Sequence, residues 1–336
     1  MDIKSVLKEI CLDGGPGICL FSLCEPDASG ELRTVNMAEA ERALKILYEN
    51  GVRQVIFTGK SVFGYPDGDR LVKAAAELGM RTEALVRLGE AEASRLPAWV
   101  KAGLSKVYLN VGSLFNALDD KERFLSGCDS ASEIVKAAAG LGGLKTEAVV
   151  TLEKLIDPET ACSILEQLGF KAVSFDLSGI KIGSGAEAGE GPAVEEVLAF
   201  IDRAAAVKRE EFIINPPGYW NDMRNLFTGE RQSYVCQGGY KLFYLDAALR
   251  LRRCPGTEEA LCSIEAFNGS QSVRDGCVNC PNALFRCRSI GLQSLTSFSD
   301  GVHSLCFSQP SRAARQWLDP RNIESLKFFF KNMKNY

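Results

Sequence analysis

Cys277-Val-Asn-Cys280 is the segment with the clearest chemical meaning, because a two-residue spacer lets both thiolates bend around one metal ion or one edge of a cluster. It is not isolated. Cys236 stands in Cys-Gln-Gly-Gly-Tyr, Cys254 in Arg-Arg-Cys-Pro-Gly and Cys262 in Leu-Cys-Ser-Ile, and with Cys287 and Cys306 they place seven of the twelve cysteines in the C-terminal third. The runs Tyr240 to Asp246 and Leu249 to Arg253 read as a β-hairpin that brings Cys236 and Cys254 together. That pair and the CxxC pair make four ligands, which suit zinc and a 4Fe-4S cluster equally. Cys236, Cys254, Cys262, Cys277, Cys280 and Cys287 are therefore the candidate metal ligands, and a structural zinc module without chemistry is an alternative reading. Cys128 and Cys162 lie in helical surroundings as packing residues.

Composition narrows the chemistry further. A single histidine, His303, all but removes imidazole from acid-base catalysis and metal ligation, so a transition-metal site here has to be mostly thiolate. Charged residues at 24% and a net charge of -4 with scattered Lys and Arg give no stripe for nucleic acid. No run approaches the length of a membrane span, and the N-terminus lacks the pattern of a signal peptide, so a cytoplasmic protein is expected, with its thiols reduced rather than paired in disulfides.

These residues need a frame. From Gly17 to Pro216 short aliphatic runs alternate with longer amphipathic ones, as in βα units around a parallel sheet. Strands are expected at 18–23, 54–58, 81–86, 106–111, 146–151, 172–176 and 211–214, and helices at 37–49, 70–78, 91–102, 132–139, 158–168 and 193–206. The expected fold is α/β, a partial (β/α)6 TIM-like barrel over 1–218, with a small cysteine-rich domain over 219–310 and a helical tail over 311–336 that packs back on the body. In a barrel the loops after the strands carry function, here 24–36, 59–69, 87–90, 112–118 and the glycine-rich 178–191. Glu83, Glu147 and Asp176 should face the interior with Arg81 and Arg87 as partners, while Tyr219 and Trp220 line a mouth or pack between domains. Helical periodicity fades beyond Pro216.

In these pieces the chain resembles the radical SAM superfamily with a C-terminal SPASM or Twitch extension. Ala38 to Gly59 looks like the family's first helix, second strand and start of the adenosylmethionine loop, and Tyr65-Pro-Asp67 continues it. Cys236 to Gly239, Arg253-Cys254, Leu261 to Ser263, Gly269 to Gln271 and Arg274 to Cys280 are similar to extensions whose cysteines hold an auxiliary 4Fe-4S cluster, so the resemblance favours iron-sulfur over zinc. Two family features are replaced. The CxxxCxxC loop, whose thiolates leave one iron open for S-adenosylmethionine, corresponds to Gly17, Phe21 and Cys24; the Gly-Gly-Glu-Pro stretch, whose acid holds the methionine amino group, reads Gly59-Lys60-Ser61-Val62. Gly59, Lys60 and Cys24 are what remains for cofactor binding, and Lys60 would suit a carboxylate or phosphate. The expectation is a cluster-carrying barrel without the radical-generating site, binding a peptide, small molecule or partner enzyme or relaying electrons. The enzymatic alternative is an active maturase or oxidoreductase with an atypical three-thiolate site at Cys11, Cys19 and Cys24.

Overall fold

The computed structural model describes residues 17–26, 29–60, 62–182, 191–207, 209, 211–271, 273, 277, 279–306 and 310–332. Alternating apolar runs and helices build an α/β fold on one nine-stranded, mostly parallel sheet in the order β11-β10-β9-β1-β4-β5-β6-β7-β8. Its strands are β1 (Gly17–Ser22), β4 (Val52–Thr58), β5 (Arg81–Arg87), β6 (Lys106–Asn110), β7 (Lys145–Thr151), β8 (Val173–Asp176), β9 (Leu242–Leu245), β10 (Arg250–Arg252) and β11 (Ala260–Ser263). A separate ribbon pairs β2 (Cys24–Pro26) with β3 (Leu32–Thr34). The two end strands of the large sheet do not pair, so the barrel is partial.

The helices are α1 (Met37–Glu49), α2 (Gly68–Glu77), α3 (Leu96–Lys101), α4 (Gly112–Asn116), α5 (Lys121–Gly140), α6 (Pro158–Gln167), α7 (Val194–Ala206), α8 (Pro217–Phe227), α9 (Ala283–Cys306), α10 (Pro310–Trp317) and α11 (Pro320–Asn332). Side chains alternate across the sheet as a period of two requires. Cys19 and Phe21 of β1 join the large core under the helices, whereas Ile18 and Leu20 join a second cluster on the concave face with Leu242, Tyr244, Phe285 and Leu292. Phe285 and Leu292 belong to α9, which therefore lies against the concave face.

Several elements differ from the expectation, each for a local reason. The strand expected at 211–214 is reduced to a bridge between Ile213 and Val173, because the Asn215 amide takes over the ladder: it accepts from Phe175 N–H at 2.7 Å and donates to Phe175 C=O at 3.0 Å. The helix expected at 91–102 starts at Leu96 after a 3-10 turn over Ala93–Arg95. The helix expected at 132–139 begins at Lys121, where the Asp120 carboxylate accepts from Arg123 N–H.

Beyond Pro216, α8 and the 24-residue α9 replace the expected loss of helix. Arginines buried in α9, Arg286 and Arg288, hide its amphipathic period. Residues 219–310 also supply β9, β10 and β11, and β9 runs parallel to β1 with Ile18 opposite Leu242 and Phe21 opposite Leu245. The tail helix α11 docks on the body: Arg321 donates to Ser233 C=O at 2.8 Å, and the Ser325 hydroxyl donates to Ile290 C=O.

Candidate cluster site and barrel cavity

Four of the six candidate metal cysteines gather at the junction of β10 and the start of α9. Cys236 N–H lies 3.4 Å from Cys277 C=O, and the Cys280 thiol is pushed up to about 12 by burial and by the nearby Cys236 and Cys254. Cys236 is likewise raised by burial, with Gly238 N–H donating to its sulfur at 3.3 Å. The two glycines after Cys236 have a steric reason to be there. A Cβ on Gly238 would sit 2.9 Å from Arg253 C=O and 3.2 Å from Cys236 Sγ, so only a bare backbone lets the Arg253-Cys254 segment close over Cys236; Gly239 takes a left-handed φ of 84°. A Gln232 side-chain amide clamps Cys280 from both sides, accepting from its N–H at 2.7 Å and donating to its C=O at 2.9 Å.

The other two candidates go elsewhere. Cys262, on β11 opposite Leu251, packs against the helix-side core. Cys287 lies one turn into α9, beside the Asn215 amide at 3.6 Å, and faces the barrel cavity. Helix rise carries residue 306 about 28 Å beyond residue 287. Among the described residues, no three His, Cys, Asp or Glu side chains are close enough to one point to hold a single metal ion. A 4Fe-4S cubane takes one thiolate per iron, so it calls for four separate thiols and not for several side chains at one point. Gly238 leaves the space beside Cys236 that a side chain would fill.

At the end of β1 the donors for a second cluster do not assemble among the described residues. Gly17 and Phe21, the positions that the sequence resemblance matched to thiolates, are the buried first and fifth residues of β1. Cys19 is fully buried on the helix side, where burial holds its thiol strongly protonated. Cys24 lies in the β2–β3 ribbon and lines the cavity, with Thr34 Oγ1 3.6 Å from its sulfur. Cys11 falls outside the described residues. Next to Cys24, Lys60 N–H donates to Cys24 C=O at 2.8 Å, and Gly59, at φ 120°, passes so close that a Cβ would meet that same oxygen at 2.5 Å. Gly59, Lys60 and Cys24 thus do form one edge of the cavity.

The cavity, about 540 Å³, lies between the strand ends and α9. Its floor is charged and paired. Lys106 and Glu147 form a buried pair at 2.5 Å, while Glu83, fully buried, takes Arg81 at 2.8 Å, Tyr108 at 2.7 Å and Arg288 at 3.4 Å. Burial opposes charge on Glu83, yet Arg288, Lys106 and Arg81 hold its carboxyl below the usual range. Asp176 at the end of β8 accepts from Ser178 N–H at 3.0 Å and from Ala283 N–H at 3.2 Å, so a barrel strand caps the helix that leaves the cysteine site; burial still raises its carboxyl.

Arg81 thus pairs as expected. Arg87 instead stands exposed at the rim, since it is the last residue of β5. Lys106, Tyr108, Asn215 and Arg288 were not among the sequence candidates. A lysine opening the apolar run Lys-Val-Tyr-Leu-Asn was the available signal for the first two, and none marked the others. Tyr219 and Trp220 are buried, with Trp220 packed 6.3 Å from Phe175, so they act as core. Residues 183–190 of the glycine-rich loop lie outside the described residues, and nothing is described of the His303 and Cys306 side chains.

A mostly parallel α/β partial barrel with a cysteine-bearing extension is the class this geometry defines. No family model and no curated protein matches the chain. Among solved structures it is similar to Streptococcus suis SuiB bound to S-adenosylmethionine, at TM-score 0.51 and 14% identity over 82% of this chain and 69% of that one. SuiB bound to the precursor peptide SuiA superposes at TM-score 0.53 and 14% identity over 82% and 68%. The enzyme anSMEcpe, bound to AdoMet and the Cp18Cys peptide, matches at 0.52 and 12% identity over 95% and 98%. These neighbours are radical SAM enzymes, and they share the fold.

Proposed function

We propose that the chain is a radical-SAM-type protein that carries an auxiliary 4Fe-4S cluster on Cys236, Cys254, Cys277 and Cys280 and has lost the site that cleaves S-adenosylmethionine, so that its barrel serves to bind a peptide. The observation that carries the reading is the end of β1. By the sequence resemblance a glycine and a phenylalanine stand where the family has two thiolates, and Cys19 packs in the helix-side core while Cys24 lines the cavity. Lys60 adds a second argument, because an ammonium beside the cavity repels the methionine amino group that the family's acid attracts. Peptide binding is taken from SuiB and anSMEcpe, both solved with peptides. When bound, an auxiliary cluster supplies a one-electron store. Gln232 and Gly238 hold its thiols in place, and the Asp176 cap ties that site to the cavity.

Anaerobic purification with iron and sulfide counting and electron paramagnetic resonance tests this. Roughly four irons per chain are expected, lost in a Cys277→Ala, Cys280→Ala variant, with no binding of S-adenosylmethionine. A second cluster whose signal responds to S-adenosylmethionine overturns the loss of the radical site. Colourless protein with stoichiometric zinc overturns the cluster.

A further inference from the structure

We propose that the barrel mouth and the groove beside it form one cationic channel that receives an acidic, extended peptide segment. The proposal rests on the reading that the barrel binds a peptide, and it names the chemistry of that peptide. A groove of about 310 Å³ beside the β2–β3 ribbon is lined by Arg33, Arg250 and Arg252. It shares Glu25, Pro26, Tyr244 and Pro255 with the barrel cavity, so the two are continuous. Lys60 and Arg87 are exposed and line the barrel cavity.

Among the described residues two carboxylates, Asp246 and Glu25, lie against these five cations. Arg250 and Arg252 share one buried carboxylate, Asp246, at 2.9 and 2.7 Å. Glu25, opposite Arg33 in the ribbon, accepts from the Tyr244 hydroxyl at 2.6 Å and Ala247 N–H at 2.9 Å and keeps its negative charge, so Asp246 and Glu25 leave three of the five positive charges in excess. Among the described residues, Arg33, Lys60 and Arg87 form no ion pair. This excess lies in a chain whose net charge is -4, and a concave wall concentrates such a field.

Further in, Lys106 balances Glu147, so the excess belongs to the entrance and not to the floor. The Ser22 hydroxyl is fully buried beside Tyr244 and lines the barrel cavity, so the inner wall there is polar. Guanidinium forks suit the planar carboxylates of Asp and Glu. Among the described residues lining the groove the one aromatic, Tyr244, is buried with its hydroxyl engaged and offers no platform for stacking bases, so the wall favours a peptide over a nucleic acid.

Fluorescence anisotropy on the cluster-replete protein tests the channel, with a fluorescein-labelled peptide of alternating glutamate and glycine as probe. The glutamate peptide is expected to bind in a salt-dependent manner, its glutamine counterpart not to bind, and an Arg33→Ser, Lys60→Ser, Arg87→Ser variant to bind roughly tenfold more weakly with its denaturation midpoint unchanged. Equal binding of the glutamine peptide, equal binding by the variant, or tighter binding of a single-stranded oligonucleotide of the same charge overturns the proposal. Iron counts on the same sample keep the two readings apart. A protein with its cluster but without glutamate-dependent binding loses only the channel, whereas a zinc protein that binds the peptide loses only the cluster.

Discussion

Glu83 shows how a single residue holds charge where charge is costly. It is wholly buried, and three cations and a phenol outweigh the loss of water. Because its folded carboxyl titrates below the ordinary value of 4.5, the stability it contributes is present above that value and is lost as pH falls through the folded one. A Glu83→Gln variant is expected to lose about 3–5 kcal/mol in urea denaturation at neutral pH, since it leaves Arg288 and Arg81 without their carboxylate. Its stability should also fall less steeply on acidification than that of the unaltered protein. A variant equal to the parent at neutral pH would mean that water already reaches the site. At this scale the sequence was partly readable: an acid within an apolar strand marked Glu83, whereas its deepest partner, Arg288, comes from a segment far along the chain that no local pattern connects to it.

Elements are fixed by their ends, and two ends here make testable claims. The α6 helix begins at Pro158 behind Asp157, whose carboxylate accepts from Thr160 N–H at 2.8 Å and from the Thr160 hydroxyl. Those bonds lower its pKa, so the cap is intact above the ordinary carboxylate range and weakens as pH falls through the lowered value. Asp157→Ala is expected to cost about 1 kcal/mol, read from the denaturation midpoint, without change in iron content. Gly238→Ala should behave in the opposite way. Its Cβ would press on Arg253 C=O at 2.9 Å, so cluster loading should fall sharply while the circular dichroism of the barrel is kept.

The βα units before Pro216 were legible because each strand is short, aliphatic and followed by its own helix. The Cys-x-Gly-Gly and CxxC pieces were legible as ligands for a related reason, since spacing alone limits where their thiols can go. Cys262 and Cys287 have the same local density, yet strand alternation turns one into the core and a helix face turns the other to the cavity. That choice depends on elements whose boundaries the sequence left open.

At the scale of the whole molecule the decisive contact is the pairing of β9 with β1, which no local period announces because more than half the chain lies between them. It makes the cysteine-bearing segment part of the barrel's own sheet, with Leu20 beside Tyr244 and Phe21 beside Leu245. The α9 helix adds a second tie. Its Arg286, fully buried, donates to Asp222 of α8 at 2.6 Å and to Tyr234 C=O, and Arg288 reaches the barrel floor. A chain ending at residue 218 therefore tests whether the boundary proposed there is a folding boundary. Without β9 the β1 strand becomes a bare edge, and Ile18, Leu20 and Tyr108 lose the cover of Leu242, Tyr244 and Phe285. Such a chain is expected to be insoluble or to elute as aggregate in size-exclusion chromatography, and the full chain to unfold in one transition followed alike by far-ultraviolet circular dichroism and by tryptophan fluorescence. A soluble, monomeric 1–218 fragment with cooperative unfolding would instead make the barrel a unit of its own, with the later strands added to an edge that is already stable.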